Sequence, residues 1–364
     1  MMVAELEDYT IAYANGVSRH VPVVLCVPSR RYENLAEWID PSVDLRLLDW
    51  PRHRSPSNPR FLWELTRLVR RERPAVIHLL SHTVLWLNAA VPFWPAPVIT
   101  TVHDVQIHPG DRETQTIPTW SSTLMVRQSD HLIVHGDGLK EAAVQHYRRK
   151  PETVHVLPHP SIQRYCSLAQ SQGLSRRADD STFRVLMFGR IFAYKGLQEF
   201  LRAETAIGDQ IPNLSITIAG RGDDPWSFSQ LMGDAARYDV RNRFIEDEEV
   251  AQLFLDCDVV ALPYVEASQS GVLNLAAAFG KPVVATDVGE LGTTVERNDL
   301  GLVVPPGNPE AFAEGLIRLS RDRALLHRLG DAARAWADGP NAPETVGATA
   351  CELYGQIANR ERAA

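Results

Sequence analysis

Two basic side chains lie close together in the second half of the sequence, between an apolar run and a stretch of helical pattern. Residues 188–196 read F-G-R-I-F-A-Y-K-G, so Arg190 and Lys195 share one short loop, and Gly189 and Gly196 flank them. A guanidinium group can form paired hydrogen bonds to phosphate oxygens, an ammonium group adds a second positive charge, and glycine lets the backbone approach a ligand. The loop therefore suits a diphosphate, although a solvated loop without a ligand could carry the same residues.

A second segment with this character follows further along the chain. Residues 262–271 read L-P-Y-V-E-A-S-Q-S-G and lead into a predicted helix over 271–279. Ser270 is a favourable N-cap residue, and the free N–H groups of Gly271 and Val272 would attract an anion. A phosphate held by the two basic side chains could rest on this helix end. A capped helix without a ligand is the alternative.

Alternating strands and helices would have to position these two segments. From residue 183 onward, short β-branched runs alternate with amphipathic stretches, which predicts a doubly wound α/β domain with a parallel sheet. Both segments follow directly after a predicted strand, and ligand crevices form at the carboxyl ends of parallel strands. The predicted strands are 183–188, 214–219, 259–262, 282–286 and 301–304, and the predicted helices are 197–205, 250–255, 271–279 and 309–319.

The first half shows the same alternation but begins differently. Its predicted strands are 21–27, 75–80, 98–103, 131–135 and 154–157, and its predicted helices are 58–71 and 139–147. The chain opens with a helical pattern over 5–19, where a doubly wound domain usually has its central strand and a glycine-rich turn. We therefore expect the first strand and its turn to be missing, through a late start or through loss of the segment. The first half should then be the less stable one.

Length and composition predict two domains. The chain has 364 residues, about twice the usual domain size. Residues 161–181 are rich in Ser, Gln and Arg and lose the apolar period, which predicts a linker. The expected organisation is an N-terminal domain over 1–160, this linker, a C-terminal domain over 182–335, and a helical tail over 336–364 that could pack back on the N-terminal domain.

Charge and hydropathy argue against several classes of protein. The net charge is −8 without a run of like charges, so no nucleic-acid partner is expected. The four cysteines are far apart, which indicates reduced thiols rather than disulfides or a zinc site. The sequence has neither a signal-peptide pattern nor an apolar run long enough to span a bilayer. We expect a cytoplasmic protein, with peripheral contact to the inner membrane face left open.

Several short motifs follow one another along the chain in an ordered spacing. They are F-G-R-I-x-x-Y-K-G at 188–196, D-V-V-A-L-P-Y at 258–264, S-G-V at 270–272, G-K-P-V-V-A-T-D-V-G at 280–289 and G-L-V-V-P-P-G-N at 301–308, with T-V-H-D at 101–104 and V-L-P-H at 156–159 in the first half. In these motifs the sequence resembles the retaining family-4 (group 1) glycosyltransferases of the GT-B fold. The resemblance implies two Rossmann-like domains that face a cleft.

The resemblance also implies roles for individual residues. Arg190 and Lys195 would neutralise the diphosphate of a nucleotide-sugar donor as it leaves, and His103 would face the donor sugar. Glu266 would lie near the sugar hydroxyls. The other donor-binding positions are Gly189, Ser268, Ser270, Gly271, Val272 and Asn274.

One departure affects the nucleoside end of that site. The family tends to carry a second glutamate eight positions after the first, on the ribose, and here that position is Asn274. If the two glutamate positions are instead counted back from the G-K-P at 280–282, they fall on Ala267 and Leu275. Neither way of counting gives the second carboxylate. An amide can still donate and accept hydrogen bonds, so we expect donor binding with an altered nucleotide preference.

The expected reaction is transfer of a hexosyl group from a nucleoside diphosphate sugar to an acceptor hydroxyl, with retention of configuration. No metal and no cofactor besides the donor are expected. The acceptor site should lie near His103, Asp104 and the segment 105–120, where His108 is a candidate. A lipid-linked saccharide, a polysaccharide end and a small metabolite all remain possible acceptors, and the sequence does not indicate an oligomeric state. The alternatives are a non-catalytic protein of the same fold, or a phosphorylase or epimerase.

Overall fold

The computed structural model describes residues 1–52, 55–106, 118–177, 179 and 181–363. This part of the chain divides into two compact units. Unit 1 contains residues 1–106, 118–160 and 341–363, and unit 2 contains residues 161–340. The predicted residue His108 and most of the segment 105–120 lie outside the described residues. Each unit is a parallel sheet covered by helices, which makes it Rossmann-like.

Unit 1 is built on a seven-stranded parallel sheet with the order β3-β2-β1-β4-β5-β6-β7. Its strands are β1 (Met2–Val3), β2 (Val24–Pro28), β3 (Asp44–Leu48), β4 (Ile77–Leu79), β5 (Val98–Thr101), β6 (His131–Val134) and β7 (Val154–Val156). Its helices before residue 160 are α1 (Glu7–Ser18), α2 (Ser29–Tyr32), α3 (Asn58–Glu72), α4 (Thr119–Gln128) and α5 (Asp137–Tyr147). The reversal of strand order at β1 and β4 is the switch point of a doubly wound fold.

The expectation that unit 1 lacks its first strand was wrong. β1 lies in the centre of the sheet, where Met2 pairs with Leu25 on one side and with His78 on the other. The backbone N–H of Leu80 donates to the Val3 carbonyl over 3.0 Å, which completes the ladder toward β4. Two residues are too few to show a strand period in a sequence. The turn from β1 to α1 is Ala4, Glu5 and Leu6, so it contains no glycine.

Unit 2 has a six-stranded parallel sheet with the order β10-β9-β8-β11-β12-β13. Its strands are β8 (Phe183–Phe188), β9 (Leu214–Ala219), β10 (Tyr238–Arg241), β11 (Val259–Leu262), β12 (Val283–Thr286) and β13 (Gly301–Val304). Its helices are α6 (Arg164–Ser171), α7 (Leu197–Ile207), α8 (Asp247–Asp256), α9 (Gly271–Ala278), α10 (Gly289–Arg297), α11 (Pro309–Arg321) and α12 (Arg323–Asp338). Apolar clusters fill both faces of this sheet.

The segment 161–181, expected to be a linker, begins with structured elements of unit 2. It contains helix α6, which packs against α8 and buries Tyr165 and Leu168. Arg164 forms an ion pair with Asp247 over 2.6 Å, and its side chain is 8% exposed. The linker was predicted because the segment is polar overall. The few apolar residues of this short helix are nevertheless enough to pack it against unit 2.

The C-terminal tail is divided between the two units. Helix α12 ends at Asp338 in unit 2, whereas α13 (Pro343–Ala363) belongs to unit 1 and packs along α1. The two helices approach so closely that a Cβ atom on Gly16 would lie 1.9 Å from the Pro343 carbonyl oxygen. Gly347 faces Gly16 with similar closeness. Glycine at both positions is therefore a requirement of this helix contact.

Candidate functional site

The loop that carries Arg190 and Lys195 begins where β8 ends. Gly189 has φ 108°, a conformation that residues with a side chain rarely adopt, and it turns the chain out of the sheet. Arg190 is exposed, and its guanidinium carbon lies 5.8 Å from the centre of the Phe192 ring. The loop then forms a short 3-10 turn over Ala193–Lys195 and enters α7. Both basic residues therefore lie at the carboxyl edge of the unit 2 sheet.

A close backbone contact holds this loop against the second candidate segment. Gly196 has φ 73°, and a Cβ atom there would lie 1.8 Å from the Pro263 carbonyl oxygen. The N–H of Val265 donates to the Tyr194 carbonyl over 2.9 Å. The two segments singled out in the sequence thus meet at the ends of β8 and β11.

A chain of side chains links Lys195 to the beginning of α9. The Lys195 ammonium lies 3.7 Å from the centre of the Tyr264 ring, which is a favourable cation–π distance. The Tyr264 hydroxyl and the Ser270 hydroxyl are 3.1 Å apart. Ser270 is the N-cap of α9 and accepts a hydrogen bond from the Leu273 N–H over 3.3 Å. A positive charge and a helix N-terminus therefore lie close together.

Gly271 and Val272 supply the first free N–H groups of α9. They lie beside the first loop, because a Cβ atom on Gly189 would be 3.4 Å from the Val272 Cγ2. Free N–H groups and the positive end of the helix dipole favour a negatively charged ligand here. The structure brings Gly189, Lys195, Ser270, Gly271 and Val272 together at one edge of unit 2.

The remaining predicted donor residues occupy the loop before α9 and its buried side. Glu266 is half-buried. Ser268 is 7% exposed, and its carbonyl accepts a hydrogen bond from Glu290 N–H over 3.1 Å. Asn274 is 4% exposed and donates from Nδ2 to the Ser270 carbonyl over 3.1 Å. The Asn274 amide therefore points toward the beginning of α9, from inside the protein.

Gln269 is a candidate that the sequence interpretation missed. Its Oε1 atom is buried and accepts no hydrogen bond from the residues that the structure describes. A buried acceptor without a donor is costly unless a ligand or water supplies one. The signal in the sequence was its position between Ser268 and Ser270, within the segment already singled out.

His103 lies in unit 1, after β5, and it belongs to a cluster of aromatic side chains. Its ring centre is 4.6 Å from that of Tyr9 and 5.1 Å from that of His135. His159 lies 5.3 Å from His135 and 4.9 Å from Tyr9. We name these four residues the histidine cluster. His82 is also buried at this edge of the sheet.

Backbone carbonyls fix the tautomers of the cluster. His103 Nε2 donates to the Leu80 carbonyl over 2.9 Å, His135 Nδ1 to the Leu157 carbonyl over 2.9 Å, and His159 Nδ1 to the Pro160 carbonyl over 2.8 Å. Each ring thus keeps one nitrogen as a hydrogen-bond acceptor. Burial lowers the pKa of all three rings, to about 3 for His159, because desolvation disfavours the charged form.

The sequence interpretation included His103 and missed the functional potential of Tyr9, His135 and His159. A signal was available for the two histidines. His135 is the last residue of the predicted strand 131–135 and His159 follows the predicted strand 154–157 by two residues, so both were expected at the carboxyl edge of the sheet. Tyr9 comes from α1, and nothing in its sequence context pointed to a neighbour so far along the chain.

Two further properties concern metals and membranes. Within the described residues, no group of three or more His, Cys, Asp or Glu side chains has an arrangement that could hold a metal ion. None of the described helices is both long and apolar enough to cross a membrane.

Comparison with solved structures defines the architecture. The chain matches HepE from Anabaena, solved in complex with UDP-glucose, with a TM-score of 0.73 and 16% identity, over 98% of this chain and 99% of that one. It also matches UDP-GlcNAc 2-epimerase from Neisseria meningitidis, with a TM-score of 0.60 and 11% identity, over 98% and 99% of the two chains. The two Rossmann-like domains therefore have the GT-B fold.

Family models then define the class of enzyme. The model "Glycosyltransferase Family 4" matches residues 6–160, and the model "Glycosyl transferases group 1" matches residues 182–322. D-inositol 3-phosphate glycosyltransferase of Corynebacterium glutamicum is 26% identical over 300 residues, which cover 74% of this chain and 70% of that protein. The chain belongs to the group 1 glycosyltransferases, as its motifs predicted.

Proposed function

We propose that this enzyme transfers a hexosyl group from a nucleoside diphosphate sugar to an acceptor hydroxyl, with retention of the anomeric configuration. The observation that carries the proposal is the meeting of the Lys195 ammonium, through Tyr264 and Ser270, with the N-terminus of α9. A cation and unpaired helix N–H groups at one point suit a diphosphate.

In the proposed reaction, the bond between the anomeric carbon and the diphosphate oxygen breaks while the acceptor oxygen bonds to the same carbon. Negative charge develops on the leaving diphosphate and positive charge on the sugar. Arg190, Lys195 and the N–H groups of Gly271 and Val272 would stabilise the leaving group more in the transition state than in the ground state. The departing phosphate oxygen takes the acceptor proton, so the proposal needs neither a metal ion nor a cofactor besides the donor.

The proposal names the nucleoside and the acceptor only as chemical classes. HepE has been solved in complex with UDP-glucose, so uridine nucleotides are the first to test. Asn274 and Gln269 are the polar side chains of the α9 segment that we assign to the nucleoside end. For the acceptor we propose a hydroxyl-bearing saccharide, lipid-linked saccharide or small metabolite that binds to unit 1 near His103.

A thermal-shift screen over nucleoside diphosphates and their sugars tests the donor. Ligand at about 100 times its Kd stabilises the folded state by about 2.7 kcal/mol, which gives a clear shift of Tm. The shift should be lost in Lys195→Ala and kept in Arg202→Ala, which removes an exposed arginine on the helix that follows. A screen in which every nucleotide leaves the Tm unchanged would contradict the proposal.

Product analysis separates the proposed transfer from the alternatives. With an isotope-labelled donor sugar and inorganic phosphate present, a transferase places the label in a new glycoside, an epimerase returns it in the nucleotide sugar, and a phosphorylase transfers it to the phosphate and releases a sugar phosphate. A non-catalytic protein of this fold would bind the donor and leave it unchanged. Proton NMR of the newly formed glycoside reports whether the anomeric configuration is retained.

A further inference from the structure

Each of four neighbouring strands of unit 1 is followed by a histidine at the same edge of the sheet. His82 follows β4, and the three rings of the histidine cluster follow β5, β6 and β7, which are adjacent in the sheet order. The ring centres of His103 and His135 are 5.1 Å apart, and those of His135 and His159 are 5.3 Å apart. Doubly wound domains bind their ligands at the carboxyl ends of their strands, so the row lies where a ligand is expected.

Packing and hydrogen bonds fix the orientation of each ring in the histidine cluster. One nitrogen of each ring donates to a backbone carbonyl. Tyr9 packs against all three rings, at centre-to-centre distances between 4.6 and 5.4 Å. The other nitrogens, which are Nδ1 of His103 and Nε2 of His135 and His159, are therefore held in place as hydrogen-bond acceptors.

Two buried ring nitrogens at this edge have no hydrogen-bond partner among the residues that the structure describes. They are Nε2 of His135 and Nδ1 of His82. Because His135 already donates from Nδ1 to the Leu157 carbonyl, its Nε2 carries a lone pair and needs a donor. A buried acceptor without a donor is costly, and a ligand that donates a hydrogen bond removes that cost.

The charges at this edge disfavour an anion. Burial lowers the pKa of His82 to about 4 and that of His159 to about 3, because desolvation disfavours the charged form, so these rings are uncharged near neutral pH. Within the described part of the chain, the ionised side chain that acts on His82 and His103 is the Asp104 carboxylate. A phosphate or carboxylate ligand would therefore meet lone pairs and a like charge instead of the cations and N–H donors that it needs.

We propose that the histidine cluster binds the acceptor through its hydroxyl groups, and that the part bound there is a neutral polyol or saccharide without phosphate or carboxylate groups. One hydroxyl donates to Nε2 of His135, which gains the partner that it lacks, and another donates to Nε2 of His159. An anionic group is rejected, because it would lose its hydration beside rings that have no donor for it. The inference rests on the proposed function, since its ligand is the acceptor of that transfer.

Acceptor selectivity tests the class of ligand. The donor is the nucleotide sugar that gives the largest thermal shift. The acceptors are glucose, mannose, galactose and inositol, each beside its phosphate monoester, and glucuronate as a carboxylate. We expect the kcat/KM of a neutral acceptor to exceed that of its phosphate monoester by about tenfold or more. A phosphate monoester or glucuronate used as well as its neutral counterpart would overturn the proposal, and so would a panel in which no neutral compound raises donor turnover above hydrolysis.

The variant His135→Asn tests the residue. An asparagine amide can replace the ring Nδ1 as the donor to the Leu157 carbonyl, but it has no atom at the position of Nε2. We expect the KM of the neutral acceptor to rise about tenfold while the Kd of the donor is unchanged, because one hydrogen bond to the acceptor is lost. His146→Asn, which changes an exposed histidine of α5, is the matched control and should behave as the parent does.

His159→Asn repeats the test independently of whether His135→Asn folds, which thermal unfolding reports. It also keeps a donor for the backbone carbonyl and loses Nε2. An unchanged acceptor KM in the folded histidine variants would overturn the proposal, because a purely structural histidine would change the Tm and leave the acceptor KM as it is.

Failure of this inference and failure of the proposed function give different results. If no nucleotide sugar shifts the Tm or is turned over, the proposed function fails. If the donor binds and its sugar is transferred to phosphorylated acceptors, or is transferred with an unchanged KM by the histidine variants, the proposed function stands and the neutral acceptor subsite is wrong.

Discussion

Acidification should destabilise unit 1 much more than unit 2, because unit 1 buries neutral histidines. Burial lowers the pKa of His78 and His159 to about 3 and that of His82 to about 4. Above the ordinary histidine pKa, neither the folded nor the unfolded state binds these protons, and stability is unaffected. Between that value and the folded pKa only the unfolded state binds them, so the free energy of unfolding falls as the pH falls.

The size of the effect follows from the pKa shifts of His78, His82 and His159. At about pH 5, each of these histidines lowers the free energy of unfolding by about 2 kcal/mol relative to neutral pH, or about 6 kcal/mol together. His103 and His135 shift in the same direction and add to this. A loss of this size is comparable to the whole stability of many domains, about 5–15 kcal/mol. Unit 1 should therefore open first in mild acid.

Hydrogen exchange of peptides from both units, corrected for the intrinsic exchange rate, measures the effect between about pH 7 and about pH 5. The free energy of opening of unit 1 should fall with a slope that grows to about three protons as the pH approaches 5, whereas unit 2 should change little. His159→Gln should reduce that slope by about one proton, whatever it does to stability itself. Equal slopes in the two units, or an unchanged slope in His159→Gln, would refute the reasoning.

Three further predictions concern unit 2. Lys195→Ala should lower turnover about 100-fold through lost transition-state stabilisation, with Arg202→Ala as the control; turnover within threefold of the parent would remove Lys195 from the site. Asn274→Leu should weaken nucleotide binding by about 1–3 kcal/mol in calorimetry, whereas Asn274→Glu should bind at least as well as the parent; undiminished binding by Asn274→Leu would exclude a ribose contact. Gly196→Ala should cost about 3 kcal/mol in urea unfolding because its Cβ would meet the Pro263 carbonyl at 1.8 Å, whereas Gly208→Ala, also at positive φ but with nothing within 4 Å, should cost about 1 kcal/mol; equal costs would show that the contact is unimportant.

Strong periodic segments made much of the fold predictable. The apolar runs that became β11 and β12 are buried at every residue, and those that became β8 and β9 are buried at most of them, so their pattern depends on little else in the molecule. The positions of Arg190, Lys195 and Ser270 at strand and helix ends followed from the same pattern. The meeting of Lys195 and Ser270 also followed, since carboxyl ends of parallel strands share one edge.

Elements at the sheet edges were less visible, and β1 was not visible at all. Strand β3 reads D-L-R-L-L, and β10 reads Y-D-V-R; both are partly exposed edge strands with charged residues, so neither shows a continuous apolar run. β1 consists of two residues, and only its neighbours β2 and β4 make it a strand. Long-range pairing of this kind leaves no local period in a sequence.

The histidine cluster depends on the same long-range assembly. Tyr9 comes from α1, and His103, His135 and His159 follow β5, β6 and β7, so only the order of strands in the sheet brings them together. A single histidine after a strand is more often structural than functional. Several histidines at one edge of a sheet do indicate a site, but that they share an edge is known only when the order of the strands is known.

The tautomer of His103 limits the chemistry that we can propose for it. Its Nε2 proton is committed to the Leu80 carbonyl, and burial lowers the pKa of the ring, so near neutral pH the ring is uncharged. The free Nδ1 can accept a hydrogen bond and has no proton to give. If His103 contacts a sugar hydroxyl, as the family resemblance implies, it would orient that hydroxyl as an acceptor and could not protonate a leaving group. This is consistent with the proposed reaction, in which the diphosphate leaves toward Arg190 and Lys195 and takes the acceptor proton itself.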